Sequence, residues 1–374
     1  MNQEEHIGKG SLKKLPEIIK RFGSKKIFLV TGKKSFESLN GKEIIDSLKE
    51  NYEITHFNDF SVNPNIYDVK KGIEVLKENK CDLVVAIGGG SVIDMAKSIN
   101  ILANQDDEIE KYITDEKEIT KKGNNLIAIP TTSGSGSEAT HFAVIYIDKK
   151  KFSLSHEFIL PICSIVDSEL TKNLPKEIAA SSGMDALCQS IESYWAVNSS
   201  DISKEYARDA IKLIIENLEN YVNENNEENR EIMAKASHLA GKAINISKTT
   251  AAHAISYGFT SYLGIQHGHA VSLTLPYFIK FNNEISEESN NDKRGVEYVK
   301  NTMKELFDLL SVKTSMEAQK KIINLMQRIG LKTELSESAD KINLILNSVS
   351  LERLENNPRK VKREDLMEIL KNIL

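Results

Sequence analysis

The chain has 374 residues, 40% of them hydrophobic and 28% charged, with a formal charge of −5; this suits a soluble globular protein too long for one ordinary core. The mild acidity excludes a global basic field for nucleic acid, no apolar run approaches the length of a membrane span, and the polar start "MNQEEHIGKG" shows no secretory h-region. Cys81, Cys163 and Cys188 are odd in number and lack CxxC spacing, which excludes a disulfide framework and fits a reducing cytoplasm.

In chain order, "LPEIIKRFG" reads as a helix closed by glycine and "KKIFLVTG" as a buried strand. "GKEIIDSLKEN" is a second helix, "YEITHFND" a strand, "IYDVKKGIEVLKENK" a helix and "DLVVAIGGG" a strand. Apolar strands separated by helices indicate βαβ units and a parallel sheet covered on both faces. "NNLIAIPTT" adds another buried strand, and "EATHFAVIYIDKKKFSLSHEFILPICSIVD" looks like strand material closing the domain. From "LPKEIAASSGMDALCQSIESYWAV" onward, helical segments follow one another to the end. The expected fold is therefore α/β plus all-α: a Rossmann-like parallel-sheet domain over residues 1–174 and a helical domain over 175–374. The asparagine- and glutamate-rich stretch at 281–293 reads as a mobile surface loop.

Two loops carry a nucleotide signal. In "VVAIGGGSVIDMAKSI", Gly88, Gly89 and Gly90 stand between an apolar strand and a helix, and Ser91 stands at the helix start. Glycines allow close backbone approach, and free N–H groups with the positive dipole end attract an anion. The pattern is neither GxGxxG nor a Walker loop; alone, it could be a tight turn that binds nothing. "IAIPTTSGSGSEAT" follows another strand and supplies Thr131, Thr132, Ser133, Ser135 and Ser137 around Gly134 and Gly136. Two such loops at the carboxyl ends of parallel strands suit a nucleotide lying across the sheet edge.

The helical half carries a metal signal. Asp185 and Gln189 in "SGMDALCQSIESYW" are four apart and share a helix face, as do His253 and Tyr257 farther on. His267 and His269 follow beyond Gly264. A carboxylate, neutral oxygens and two imidazoles suit Fe²⁺, Zn²⁺ or Mn²⁺, although each histidine taken singly reads as structural before it reads as a ligand.

Together these motifs resemble the iron-containing, or group III, alcohol dehydrogenase family over nearly the whole chain. The resemblance rests on "GKGSLKKLPEIIKRFGSKKIFLVTG", "AIGGGSVIDMAKSI", "IPTTSGSGSEAT", "GMDALCQSIESY" and "TTAAHAISYGFTSYLGIQHGHAV". It implies a dinucleotide-binding domain, a helical domain, a divalent metal in the cleft between them, and reversible hydride transfer between NAD(P)H and a small aldehyde or ketone. Carried over by position, it implies metal ligands at Asp185, Gln189, His253 and His267. It implies cofactor contacts at Gly32, Gly88, Gly89, Gly90, Ser91, Asp94, Thr131, Thr132, Ser135, Ser137, Lys151 and Leu170, and proton-transfer helpers at His269 and Tyr257. Members commonly form dimers or larger assemblies, with a small-molecule substrate and neither nucleic acid nor membrane as partner.

Three positions depart from the family pattern. Gln189 stands where most members have a histidine ligand, and Tyr257 replaces a second common histidine. Gly32 stands where many NAD-preferring members carry aspartate; with Lys33 and Lys34 nearby, it would admit the 2′-phosphate of NADP. "DALCQSIESYWAVNS", "SKTTAAHAISYGFTSYLGIQHGHAVSLTL" and "NNPRKVKREDLMEIL" look like the branch of phosphonoacetaldehyde and sulfoacetaldehyde reductases. That implies a two-carbon aldehyde with an anionic head, for which Lys248, Asn198, Ser199 and His269 are candidate donors. Other readings are a general short-chain alcohol, lactaldehyde or butanol dehydrogenase, a lyase of the dehydroquinate synthase type, and a nucleotide-binding protein that has lost its metal.

Overall fold

The computed structural model describes residues 3–39, 41–148, 150–335, 339–349 and 354–374. The chain divides into two compact units, Met1–Asn173 and Leu174–Leu374.

The first unit is built on six parallel strands: β1 (Glu4–Ile7), β2 (Lys26–Thr31), β3 (Glu53–Phe57), β4 (Leu83–Gly88), β5 (Asn125–Pro130) and, after a hairpin, β8 (Cys163–Val166), in the order β1-β8-β5-β4-β2-β3. Alternation sorts the strand residues. Phe28, Val30, Val84, Ala86 and Ala128 face one buried cluster with helices α4 (Ile66–Glu78) and α5 (Gly90–Leu102). Ile27, Leu29, Val85, Ile87 and Ile129 face the other, with α1 (Leu15–Phe22), α2 (Lys33–Glu37) and α3 (Gly41–Lys49). A sheet buried on both faces explains why these strands read as unbroken apolar runs.

β2 leads outward to β3, whereas β4 leads the opposite way to β5. The sheet therefore has its switch point between β2 and β4, where open α/β sheets bind ligands beyond their carboxyl ends. Gly32 and Gly88 flank that point, one just past β2 and the other closing β4. A short helix α6 (Ile109–Ile113) precedes β5, and β6 (Phe142–Ile147) pairs antiparallel with β7 (Lys150–Ser155).

β1 lies in the polar chain start, which carries no strand pattern. As an edge strand it has one neighbour, β8, and its burial alternates between half-buried and exposed, so it needs no apolar run.

The second unit packs α7 (Lys176–Trp195), α8 (Asp201–Asn223), α9 (Glu227–Ser247), α10 (Ala251–Leu263), α11 (His267–Asn283), α12 (Val296–Leu309), α13 (Ser315–Arg328), α14 (Ala339–Asn347) and a last helix, Arg363–Lys371, around one apolar cluster. α7 is buried along nearly its whole length, including the polar residues Asp185, Gln189, Glu192 and Ser193. A helix wrapped on all sides must find partners for such groups inside the protein.

The stretch expected to be a mobile loop is instead tied to the chain's last segment. Asn291 N donates to Pro358 O at 2.9 Å, Lys360 N donates to Ser289 O at 2.8 Å, and Asn291 Nδ2 donates to Asn357 O at 3.1 Å. Composition alone hides these bonds, because their partners lie some sixty-five residues later. None of the described helices is long and apolar enough to cross a membrane.

Candidate metal centre and cofactor loops

At the sheet edge the two small-residue loops come together. Gly88 pairs with Pro130 across β4 and β5, and Thr131 N donates to Gly88 O at 3.1 Å. A Cβ on Gly90 would stand 2.7 Å from Ser135 Oγ, and one on Gly88 would stand 2.5 Å from Val92. Only glycine lets these segments pack so closely. Gly89 precedes the first turn of α5 in extended conformation, leaving Gly90 and Ser91 at the positive end of that helix.

Asp94 and Lys97, one turn farther along α5, fasten the second loop from below. Asp94 Oδ1 accepts from Ser137 Oγ at 2.6 Å, and Oδ2 accepts from Val144 N at 3.1 Å. Burial pushes this carboxyl above its ordinary range, against the pull of Lys97, Ser137 and the Val144 amide. Lys97, 1% exposed, donates to Thr140 O at 2.8 Å, Thr140 Oγ1 at 3.0 Å, Phe142 O at 3.0 Å and the carbonyl of Ser137. Burial brings its ammonium down to about 8. Sequence reading missed Lys97; a lysine inside the otherwise apolar "DMAKSINIL" was its signal.

Thr132 and Ser135 are half-buried at the loop tip, while Thr131 and Ser137 are buried. Lys151 lies on β7 opposite Tyr146, close enough to Asp94 to act on its charge. Leu170 lies in the buried cluster with Ile87 and Ile129. Gly32 leads α2, and a Cβ there would meet Ser35 Oγ at 2.4 Å. Lys33 pairs with Asp59 at 2.7 Å, and Lys71 binds the other oxygen of the same carboxylate. The two lysines hold Asp59 down to about 2, so part of the positive charge expected beside Gly32 is already answered.

In the helical unit, three helices bring a carboxylate and two imidazoles to one point. α7 supplies Asp185, α10 supplies His253, and α11 opens with His267. One ligand atom from each lies within 4.8 Å of the others. His253 Nε2 is 3.4 Å from Asp185 Oδ1, and His267 Nε2 is 3.8 Å from the same oxygen. Gly264, at φ 68°, closes α10 and turns the chain into α11. Gly268 lets α11 start against α7: a Cβ there would fall 2.0 Å from Ser181 O and 2.8 Å from Asp185 Cβ.

Gln189, one turn beyond Asp185, donates from Nε2 to Asp185 Oδ2 at 3.3 Å. The Tyr257 ring lies flat on His267, 5.9 Å between centroids at 10°. His269 stands apart from the cluster. Its ring Nε2 donates to Lys332 O at 2.7 Å, its backbone N donates to Ser181 Oγ, and burial lowers its pKa, keeping the ring neutral near pH 7.

The residue missed here is Glu192, wholly buried on α7. Its Oε2 accepts from His253 Nδ1. Asp185, Gln189 and Glu192 are spaced four and three apart in the sequence, a stripe along one helix face that was legible but unread.

This donor set fits a divalent cation. A carboxylate accepts only, so the proton on His253 is at Nδ1 and the lone pair at Nε2. Among the described residues that buried lone pair has no hydrogen-bond partner, and it faces a carboxylate oxygen, an arrangement that a cation between them satisfies. In the metal-free chain a proton does so: burial disfavours protonation of His253, but Glu192 and Asp185 outweigh it and raise the pKa.

Residues 2–168 match the family model for iron-containing alcohol dehydrogenase, and residues 179–374 match the one for the Fe-containing alcohol dehydrogenase family, C-terminal. The chain belongs to the iron-containing alcohol dehydrogenase family. It is thus an oxidoreductase of alcohol dehydrogenase type.

Relatives within the family differ in substrate. The chain is 31% identical to an NADPH-dependent butanol dehydrogenase from Clostridium saccharobutylicum, with 97% of this chain and 94% of that one covered. It is 30% identical to a phosphonoacetaldehyde reductase from Streptomyces viridochromogenes, covering 79% and 77%. Among solved structures it resembles a sulfoacetaldehyde reductase from Bifidobacterium kashiwanohense in complex with NAD⁺, at 32% identity and a TM-score of 0.87, covering 99% and 96%.

Proposed function

We propose that this iron-type dehydrogenase reduces a two-carbon aldehyde with an anionic head, of the phosphonoacetaldehyde or sulfoacetaldehyde kind, to the alcohol with NAD(P)H. The observation that carries the reaction class is the convergence of Asp185, His253 and His267 within 4.8 Å. Likeness to the two reductases named above supports the substrate class. Likeness to an NAD⁺ complex and to an NADPH-dependent enzyme supports the nicotinamide cofactor.

Asp185, His253 and His267 would hold the divalent metal, with Gln189 offering its amide oxygen as the fourth ligand. When bound, the ion supplies Lewis-acid polarisation of a carbonyl oxygen. Gly88–Ser91 at the start of α5 would hold the cofactor's pyrophosphate, and Asp94 and Lys97 keep the second loop in shape beside them. Thr131, Thr132 and Ser135 in that loop would contact the nicotinamide side. Tyr257, stacked on His267, would give the proton to the product oxygen from its Oη and regain one from water. With its Nε2 proton committed to Lys332 O, His269 serves as an anchor for α11 rather than as a proton donor.

Of the four residues expected near the anionic head, we assign the role to Lys248. Lys248 brings the one full positive charge among them, since Asn198 and Ser199 are uncharged and His269 is bonded to Lys332 O. Lys248 is exposed and closes α9 five residues before His253, at φ 59° and ψ −178°. That conformation suits glycine and costs a lysine on the order of 1–3 kcal/mol, a strain typical of ligand sites. Asn356 keeps it in place by donating to Ser247 O at 2.8 Å and Thr249 O at 2.9 Å.

A reductase screen of phosphonoacetaldehyde, sulfoacetaldehyde, lactaldehyde and butyraldehyde, each with NADH and NADPH, tests the proposal. It requires a clear preference for the charged aldehydes. Equal kcat/KM on butyraldehyde would overturn the anionic-head reading.

A further inference from the structure

One buried carboxylate, Glu192, gathers the first turn of a whole helix. Glu192 Oε1 accepts from Thr250 Oγ1 at 2.6 Å, Ala252 N at 2.9 Å, Thr250 N at 3.2 Å and His253 N at 3.3 Å. Its Oε2 takes His253 Nδ1. The first turn of α10 is therefore capped not by its own N-cap residue, Thr250, whose side chain makes no capping bond, but by a side chain from α7. Nearby, Trp195 Nε1 donates to Thr250 Oγ1 at 3.0 Å and Ser247 Oγ donates to Ser193 Oγ at 2.7 Å. The last turns of α7 thus grip the whole α9–α10 connection.

We infer that Glu192 is the positioning residue of the metal centre: it fixes the His253 tautomer and, through the same carboxylate, holds in place the helix turn on which His253 sits. Its two oxygens divide the work. Oε1 replaces the missing cap of α10 and sets where the ring is. Oε2 takes the Nδ1 proton and sets which nitrogen offers a lone pair toward Asp185. Since Asp185 and Glu192 belong to one helix, the ligand carboxylate and the carboxylate orienting the partner ligand move as one body. Groups of this outer kind usually change metal affinity ten- to a hundredfold when removed.

Glu192→Gln separates the two tasks. The amide oxygen still accepts the backbone N–H groups of α10, but the amide NH₂ facing His253 Nδ1 would donate to it and drive the ring proton to Nε2. Zn²⁺ affinity of the full-length chain, measured by competition with a chromophoric chelator, is expected to fall ten- to a hundredfold. Ser193→Ala, which loosens the same connection without touching Glu192 or His253, is expected to leave it within about twofold. Equal losses in both variants, or an unchanged affinity in Glu192→Gln, would overturn the inference. If Glu192→Gln does not fold, the wild type decides. In the ¹⁵N-histidine spectrum of the Zn²⁺-loaded chain, His253 must carry a slowly exchanging proton on Nδ1; a neutral ring protonated at Nε2 refutes the assignment. The inference rests on the metal centre alone, so an aldehyde screen that fails while Zn²⁺ binds normally would remove the substrate proposal and leave this one standing.

Discussion

Asp94 accepts a 2.6 Å hydrogen bond from the hydroxyl of Ser137, forty-three residues further along the chain. This bond joins the helix behind the first glycine loop to the second loop, so the two loops proposed to hold the cofactor form one assembly rather than two. Asp94→Ala should release the second loop while leaving Gly88–Ser91 in place. The expected result is an NADH dissociation constant raised about tenfold, which corresponds to about 1.4 kcal/mol, with kcat changed less. Fluorescence titration of NADH measures it; an unchanged constant would show that the loop keeps its shape without Asp94.

Lys97 gives the same assembly a pH signature. Its folded-state pKa of about 8 lies below the ordinary 10.5, because burial disfavours the ammonium. Between those values the unfolded chain holds a proton that the native chain has released. This group therefore makes stability rise with pH from about 8 to 10.5, and the gain is lost as pH falls through 8. Lys97→Met removes the titration. The stability difference between wild type and variant should grow by on the order of 2 kcal/mol between about pH 7.5 and pH 10. Denaturant unfolding at the two pH values checks it, and parallel profiles for the two proteins would contradict it. The variant should also be less stable throughout, since the carbonyls of Ser137, Thr140 and Phe142 lose their donor.

Gly268 sets how closely α11 can approach α7. The 2.0 Å contact that a Cβ would make is with backbone, Ser181 O, and backbone cannot swing aside. Gly268→Ala is expected to cost roughly 1–3 kcal/mol of stability and to shift His267, next to it, away from Asp185. Thermal midpoint and Zn²⁺ retention should fall together; a variant as stable as wild type would mean that the helices have more freedom to slide than their packing suggests.

Lys248 carries the specificity claim. Lys248→Met should raise KM for phosphonoacetaldehyde about tenfold, since a charge-assisted hydrogen bond to the anionic head is worth about 1.5–3 kcal/mol. KM for butyraldehyde should stay within about twofold. Matching changes for both substrates would assign Lys248 to the fold of the α9–α10 turn instead.

Much of this architecture was legible because its signals are local. Unbroken apolar strands, helices of ten or so residues and glycine at the helix ends gave the parallel sheet, and the shift to helical periodicity near Leu174 marked the second half. At the candidate site, residues at helical spacing could be paired on sight: Asp185 with Gln189, His253 with Tyr257. What escaped was long-range. β1 has no pattern of its own and exists because β8 offers it a ladder. Lys97 and Glu192 reveal their roles only through partners some forty to sixty residues away. The stretch near 281–293 was misread for the same reason, its polar composition suggesting solvent while its bonds go to the chain's last segment. His269 shows the converse: two residues from His267 in sequence, it is turned by the helix onto Lys332.

The central claim is that Asp185, Gln189, His253 and His267 form one divalent-metal site. It is tested most directly by metal content per chain, measured by mass spectrometry after anaerobic loading with Fe²⁺ or Zn²⁺ and desalting. Wild type and His269→Ala should each retain about one ion per chain, and Asp185→Ala almost none. An Asp185→Ala chain that is folded and keeps as much metal as wild type would contradict the account.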